Sequence, residues 1–343
     1  MMTTIDLRSD TVTKPTPGML EVMMHTEVGD DVYGEDPAVI ALEKYTAQLF
    51  RMEAALFCPS GTMTNQIAIR VHTQPGDELL CADNAHIYKY EGGGIASNSG
   101  VQARVLPSSY GKISANQIET AINADDPHFP KTSLVCLENT SNRGGGSAYS
   151  LDEMQAIQKK CKDHQLKLHL DGARVFNAMV AKQYAASQLG NTFDSISICL
   201  SKGLGAPVGS LLIGNKDFIK KSIRIRKVFG GGMRQAGYLA AAGLYALNNH
   251  IERLEIDHLH AKKISNILEK HPDVVSVYPV ETNIIIFELH DEETCSKLQH
   301  YLLSKNIKAN KVSPVSMRFV LHLDITEDMI EILQDVLSSF GSK

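Results

Sequence analysis

The sequence predicts an α/β protein in which a large domain, residues 1–250, holds a mostly parallel sheet between helices and a smaller α+β domain, residues 251–343, completes the chain. Three observations predict this. Over the first 250 residues short apolar, β-branched runs alternate with helical stretches, the pattern of parallel strands covered on both faces. After about residue 250 the texture changes to a long charged helix and then mixed strands and helices. A chain of 343 residues is the length of about two domains, and 43% apolar content is ample for a sizeable core.

In chain order, Asp36-Pro37 places a capping side chain before a proline at the first helical position and predicts a helix to about residue 52. The run 54–58 predicts a strand, joined by Ser60-Gly61-Thr62 to a helix over about 63–72. Strands are expected at 78–81, 104–106 and 134–137. Ser150 then opens a helix to about 164, strands come next at 166–170, 196–200 and 210–213, and an Ala-rich helix over 237–247 reads as packing. In the second domain a charged helix over 252–270 stops at Pro272. Strands at 274–277 and 283–288, a helix over 292–304, a strand at 318–323 and a last helix from Thr326 complete the chain.

Lys+Arg 34 against Asp+Glu 39 gives a net charge of −5 without a long basic run, which argues against a general nucleic-acid or membrane-surface binder. Any anionic ligand must be caught locally. The first thirteen residues are polar, with Asp6, Arg8 and Asp10, unlike a signal peptide. The longest apolar-rich stretch, 239–247, is far short of the ~20 residues that span a bilayer. The expectation is a soluble, cytoplasmic protein. Six scattered cysteines without a C-x-x-C pair or zinc-like histidine spacing read as buried free thiols, so neither disulfides nor a metal are expected.

The chemistry gathers at the strand ends. Polar residues arrive after five of the strands: Ser60-Gly61-Thr62, then Asp83 and His86, Glu138-Asn139, Asp171-Gly172-Ala173-Arg174, and Ser201-Lys202-Gly203. In an open α/β sheet the crevice outside the carboxyl ends of the strands is the ligand site. Ser60-Gly61-Thr62 is either an ordinary helix cap or a phosphate cup, since N–H groups and the helix dipole converge there. There is no G-x-G-x-x-G after a strand and no G-x-x-x-x-G-K-[ST], so cofactors held by those loops lose support. Lys202 is either a solvated strand-end lysine or an amine for chemistry, and Arg174 either pairs with Asp171 or binds substrate. A phosphate cup, an acid and an amine in one crevice together suit pyridoxal 5′-phosphate, whose ring nitrogen wants an acid partner and whose aldehyde wants an amine.

The segments 6–13 (DLRSDTVT), 29–37 (GDDVYGEDP), 59–63 (PSGTM), 171–174 (DGAR), 201–204 (SKGL) and 230–235 (GGGMRQ) together resemble the L-threonine aldolase family, within the aspartate-aminotransferase-like group of pyridoxal-phosphate enzymes. The resemblance runs from residue 5 to the Arg318 region. It implies that residues 1–250 form a pyridoxal-phosphate-binding domain and that the activity is reversible cleavage of L-threonine or L-allo-threonine to glycine and acetaldehyde, a step of threonine catabolism and glycine supply. It further implies Lys202 as the Schiff-base lysine, Asp171 as the partner of the pyridine nitrogen, His86 as the group stacked on the ring, and Gly61 and Thr62 as phosphate binders. Ser9, Arg174 and Arg318 would hold the substrate carboxylate. Tyr33, Tyr90, Lys227 and Arg234 would contribute at or near the site across a subunit interface, in a homodimer or a homotetramer.

Retro-aldol cleavage needs a base for the β-hydroxyl proton, and imidazole is well matched to it near neutrality. His86 and His128 are the two candidates. Ser141 stands where many members of the family have a histidine, which bears on aldehyde-side selectivity. His164, His258, His260, His271 and His300 lie on charged helices or at their ends and read as solvated. Competing readings are a β-eliminating lyase or aminotransferase that uses the same Lys202 and Asp171, and a binding protein or enzyme without pyridoxal phosphate.

Overall fold

The computed structural model describes residues 4–341. Its centre is a seven-stranded sheet in the order Ala54–Cys58, Ser210–Gly214, Ser195–Cys199, Lys167–Gly172, Thr132–Glu138, Glu78–Ala82, Gln102–Leu106. Only Ser210–Gly214 runs against its neighbours. The other pairings between adjacent strands are parallel. The central strands are buried along nearly their whole length, including the small or polar Ser195, Ser197 and His169 that alternate with apolar residues in two of them. All seven predicted strands are present, most of them a residue or two longer than the apolar run, because hydrogen bonding continues into flanking polar residues such as Glu138 and Asp171.

The helix starts obey their capping chemistry. Asp36 caps Pro37–Phe50 by accepting from the N–H groups of Ala38 and Val39. Ser150 and Glu153 form a reciprocal capping box at Leu151–Asp163. Ser60 caps Gly61–His72, so that helix begins two residues earlier than its apolar periodicity indicates.

A second sheet, four-stranded and antiparallel in the order Asn310–Lys311, Ser316–Val320, Ile284–Leu289, Val274–Val277, packs against Leu254–Leu268, Glu292–Ser304 and Glu327–Ser339 in an apolar cluster of its own. The N-terminal segment crosses to it. Ile5–Asp6 pairs in parallel with Ile307–Lys308, and Ile5 and Leu7 lie in the same apolar cluster as Phe287, Phe319 and Leu333. The helix Leu254–Leu268 spans both cores, with Leu254 in the large cluster and Ala261, Ile264 and Leu268 in the small one. The N-terminal segment and the strand Ser316–Val320 bring residues 8–10 and Arg318 to the edge of the large domain's crevice.

All six cysteines are unpaired and buried. Among the described residues no helix is long and apolar enough to cross a membrane. His258 and His260, expected to be solvated, are not. Burial pushes His258 down to about 4, and His260, 4% exposed, meets Glu327 at 3.0 Å. Their helix packs against both domains, which charge periodicity along one helix does not report.

Candidate active site

The carboxyl ends of the parallel strands form the floor of the crevice. Asp171, the fifth residue of Lys167–Gly172, is 3% exposed. Its Oδ2 accepts from Asn65 Nδ2 at 2.9 Å and its Oδ1 from the Ala173 N–H at 3.2 Å. The same Asn65 Nδ2 donates to Glu91 Oε1 at 2.9 Å, and that oxygen also meets His86 Nδ1 at 2.9 Å. His86, Glu91 and Asp171 thus offer ligand-type atoms within 4.8 Å of one another. His86 opens a short helix, His86–Lys89, and its backbone N–H is fixed at 2.8 Å by Glu138 Oε2. Burial lowers the His86 pKa, but the Glu91 hydrogen bond and the charges of Asp171, Glu91 and Glu138 outweigh it and raise it above the ordinary value. Burial, and after it the Asp171 charge, pushes Glu138 up.

At one end of the crevice two arginines meet. Arg174 does not pair with Asp171: its Nε and Nη2 both bond Asp10, each at 2.6 Å, a bidentate pair that is almost completely buried. Nη1 has no hydrogen-bond partner among the described residues. Burial raises the Asp10 pKa, yet Arg174, with Lys202 and His322, overrides it and holds Asp10 at about 2. Arg318 donates from Nη1 to Asn142 Oδ1 at 2.6 Å and from Nη2 to the Arg8 carbonyl at 3.0 Å, and its Nε is buried without a partner. Burial, then the charges of Arg174 and Arg143, bring Arg318 down to about 10. Ser9 caps the 3-10 turn Asp10–Val12 beside this pair. An anion placed here would satisfy open N–H groups on two guanidiniums and relieve their mutual repulsion.

Lys202 lies just beyond Ser195–Cys199, half-buried, with its carbonyl accepting from Thr13 Oγ1 at 3.1 Å. Among the described residues it has no ion-pair partner. At the helix Gly61–His72 the Ser60 hydroxyl takes the Met63 N–H, which leaves the N–H groups of Gly61 and Thr62 open at the positive end of the dipole. A side chain at Gly61 would meet Cys199 Sγ at 2.6 Å, so glycine is required for the turn to close onto the neighbouring strand.

Of the remaining predicted residues, Tyr90 reaches the crevice rim and the others lie away from it. The Tyr90 ring is 5.7 Å from the His86 ring and lies under the Arg143 guanidinium at 4.8 Å, at the crevice rim. Tyr33, 76% exposed, and Lys227 line a separate cavity of about 680 Å³ together with Asp31, Glu43 and Arg226. Arg234 pairs with Asp30 at 3.2 Å. Among the described residues no hydrogen bond or ion pair joins Tyr33, Lys227 or Arg234 to Lys202, Asp171 or His86. His128 is 86% exposed and bonds Asp126. It precedes the amino end of Thr132–Glu138, about 20 Å along that strand from the crevice at a rise of ~3.3 Å per residue. The chain therefore does not bring His128 to its own crevice. Ser141 is buried and accepts from the Gly144 N–H at 3.1 Å, holding the loop after that strand.

Asp10, Asn65, Glu91 and His169 surround these residues, and the sequence context of the first three does not mark them as functional. Asp10 stands inside the segment 6–13 and Glu91 close to His86, but neither carries a local pattern. His169 has a signal, because period two puts it on the same face of the strand as Asp171.

Comparison with known proteins gives the family. Residues 6–292 match the family model described as beta-eliminating lyase. The chain is 43% identical over 328 residues to the low specificity L-threonine aldolase of Escherichia coli K12, covering 95% of this chain and 96% of that protein. It is 42% identical to low-specificity L-threonine aldolase 1 of Arabidopsis thaliana, over 95% and 93% of the two chains. The solved threonine aldolase of Leishmania major superposes with a TM-score of 0.84 at 22% identity, over 97% of this chain and 98% of that one. On the family match over residues 6–292 and these similarities over nearly the whole chain, the chain belongs to the beta-eliminating lyase family, alongside the low-specificity L-threonine aldolases.

Proposed function

We propose that this chain is a pyridoxal-phosphate-dependent aldolase that reversibly cleaves L-threonine and L-allo-threonine to glycine and acetaldehyde. The observation that carries the reading is that Asp171, His86 and Lys202 stand at or just beyond strand ends of one sheet, with the Lys202 charge acting on Asp10, the partner of Arg174, and Arg318 brought beside Arg174 from the second sheet. The names of the relatives support it. The residues fit the cofactor: open N–H groups of Gly61 and Thr62 for the phosphate, the buried Asp171 carboxylate for the ring nitrogen, and the Lys202 amine for the aldehyde. When bound, the cofactor supplies an electron sink for the pair released as the substrate Cα–Cβ bond breaks.

Arg174 and Arg318, with Ser9, hold the substrate carboxylate and so orient the breaking bond. Asp10 takes two of the Arg174 donors and presets the angle of the third. His86 would lie against the cofactor ring and would take the β-hydroxyl proton of the substrate. Glu91 accepts from Nδ1, which leaves Nε2 as the basic face when the ring is neutral. His128, at the amino edge of the sheet, would serve only another copy's crevice, as would Tyr33, Lys227 and Arg234. Tyr33, Val228 and Ile223, all well exposed, support a subunit interface on that face. Unpaired cysteines support a reducing, cytoplasmic setting.

The test is product identity from L-threonine, L-allo-threonine and both D-isomers, with and without added pyridoxal phosphate. Acetaldehyde and glycine are expected from the L-isomers. Ammonia and a keto acid would instead favour the elimination that the family description names. Lys202→Ala should abolish the absorbance of the covalent C=N link between chain and cofactor and the borohydride trapping of that link, and retention of both would overturn the role given to Lys202.

A further inference from the structure

Beneath the crevice a chain of hydrogen bonds runs through the core, and counting protons gives its direction. Asn65 Nδ2 meets Asp171 Oδ2 and Glu91 Oε1, both at 2.9 Å. Two carboxylate oxygens accept, so both amide hydrogens are used and the Asn65 oxygen faces away. His169 Nε2 lies 3.2 Å from that oxygen and must donate to it. His169 Nδ1 lies 2.8 Å from Ser195 Oγ. With Nε2 protonated and the ring neutral, Nδ1 accepts the only hydrogen of the Ser195 hydroxyl. Ser195 Oγ is also 2.8 Å from His72 Nε2, which must therefore donate.

Every step is directed one way, from His72 to Ser195, to His169, to Asn65, to the two carboxylates. Ser195 and His169 are fully buried and Asn65 is 2% exposed, so each bond left unmade would strand a polar atom away from water. Burial holds His169 and His72 at about 3, which keeps both rings neutral as this direction requires. Lys167 and Lys221 add to the effect at His72. Neither histidine takes part in the aldol chemistry, yet both sit on the path to Asp171.

We propose that His169, as the neutral Nε2–H tautomer, is a positioning residue that locks the Asn65 amide with both N–H groups on Asp171 and Glu91, holding Asp171 as the charged partner of the cofactor ring and Glu91 as the acceptor for His86. The second half rests on the pyridoxal-phosphate reading; the first does not. Without the His169 donor the Asn65 oxygen is buried with no partner, and the amide is anchored only through the two N–H groups it gives to Asp171 and Glu91.

Two measurements on the full chain test this. With ¹⁵N-labelled histidine, and His169→Gln to assign the signal, NMR should show His169 protonated on Nε2 alone and not titrating between about pH 5.5 and 9. A proton on Nδ1, or a charged ring in that range, overturns the proposal. Equilibrium dialysis of pyridoxal 5′-phosphate should then give a Kd weakened roughly tenfold or more in His169→Leu, since one buried charge-assisted bond loses its support. Gln carries both a donor and an acceptor, and His169→Gln should stay within about threefold of the wild type. Wild-type affinity in His169→Leu, or equal loss in both variants, also overturns it. If His169→Leu does not fold, the tautomer measurement on the unaltered chain decides. Wild-type protein that binds no pyridoxal phosphate would defeat the cofactor reading, while the tautomer would still decide the proton chain.

Discussion

Asp10 controls how Arg174 can be used, because it occupies two of the guanidinium donors at 2.6 Å and is itself fully buried. Replacing Asp10 with Asn leaves a buried arginine without its counter-charge and should cost about 3–5 kcal/mol in urea unfolding. Its folded pKa of about 2 lies below the ordinary 3.8. The pair therefore contributes fully above pH 3.8, and about 2 kcal/mol of stability should disappear as pH falls from near 4 through 2, read as a falling denaturation midpoint. Arg318→Ala should reduce kcat/KM by about 2–3 kcal/mol, and unchanged steady-state kinetics would remove Arg318 from the site. For His86 the sign is the reverse of Asp10: a raised pKa means the basic form is lost as pH falls through a value above the ordinary 6.5. The acid limb of kcat/KM should lie above 6.5 and move down in Glu91→Gln. Asp171, Lys202 and Arg174 are legible in the sequence because each comes at or just after a strand end. Asp10 is not legible as Arg174's partner, since 164 residues separate the two and no spacing rule reaches that far.

The helix Gly61–His72 joins local chemistry to the site. Its start is set by Ser60, and its open first N–H groups exist because the Ser60 hydroxyl caps the Met63 N–H. Gly61→Ala would drive a methyl group to 2.6 Å from Cys199 Sγ, so the first turn must move. The expected result is weaker pyridoxal-phosphate binding in equilibrium dialysis. Cys199→Ala in the same chain should restore part of it, which a purely conformational effect of alanine at this cap would not do. Strand and helix positions are readable to within a few residues because the buried strands are short apolar or alternating β-branched runs and caps need particular side chains. The pairing of Ile5–Asp6 is not, since two residues carry no period and gain a partner only from Ile307–Lys308.

At the scale of the molecule, the crevice is built by two cores. Arg318 comes from the four-stranded sheet, residues 8–10 arrive on the N-terminal segment, and Asp171, Lys202 and His86 come from the seven-stranded sheet and its connections. Thr282 donates to the Gly146 carbonyl at 2.7 Å and Lys182 meets Glu281 at 2.6 Å, which ties the segment before the second sheet to the first. The exposed apolar face around Tyr33, Ile223 and Val228 should be covered by a second copy. Sedimentation should show a dimer or tetramer, and Val228→Asp should shift it toward the monomer and lower specific activity on dilution. A monomeric wild type with full activity would remove the subunit-interface roles of Tyr33, Lys227 and Arg234.

The sequence by itself determined the order of the elements, the buried thiols and the strand ends that carry Asp171 and Lys202, because periodicity and capping are local properties of the chain. Only the tertiary structure decided that Arg174 answers to Asp10, that His128 lies an entire strand's length from the crevice, and that a directed line of protons from His72 ends on Asp171. Those facts depend on which buried groups face one another across strands and domains. Burial makes each such pairing obligatory, but the identity of the partner is written nowhere in the local sequence.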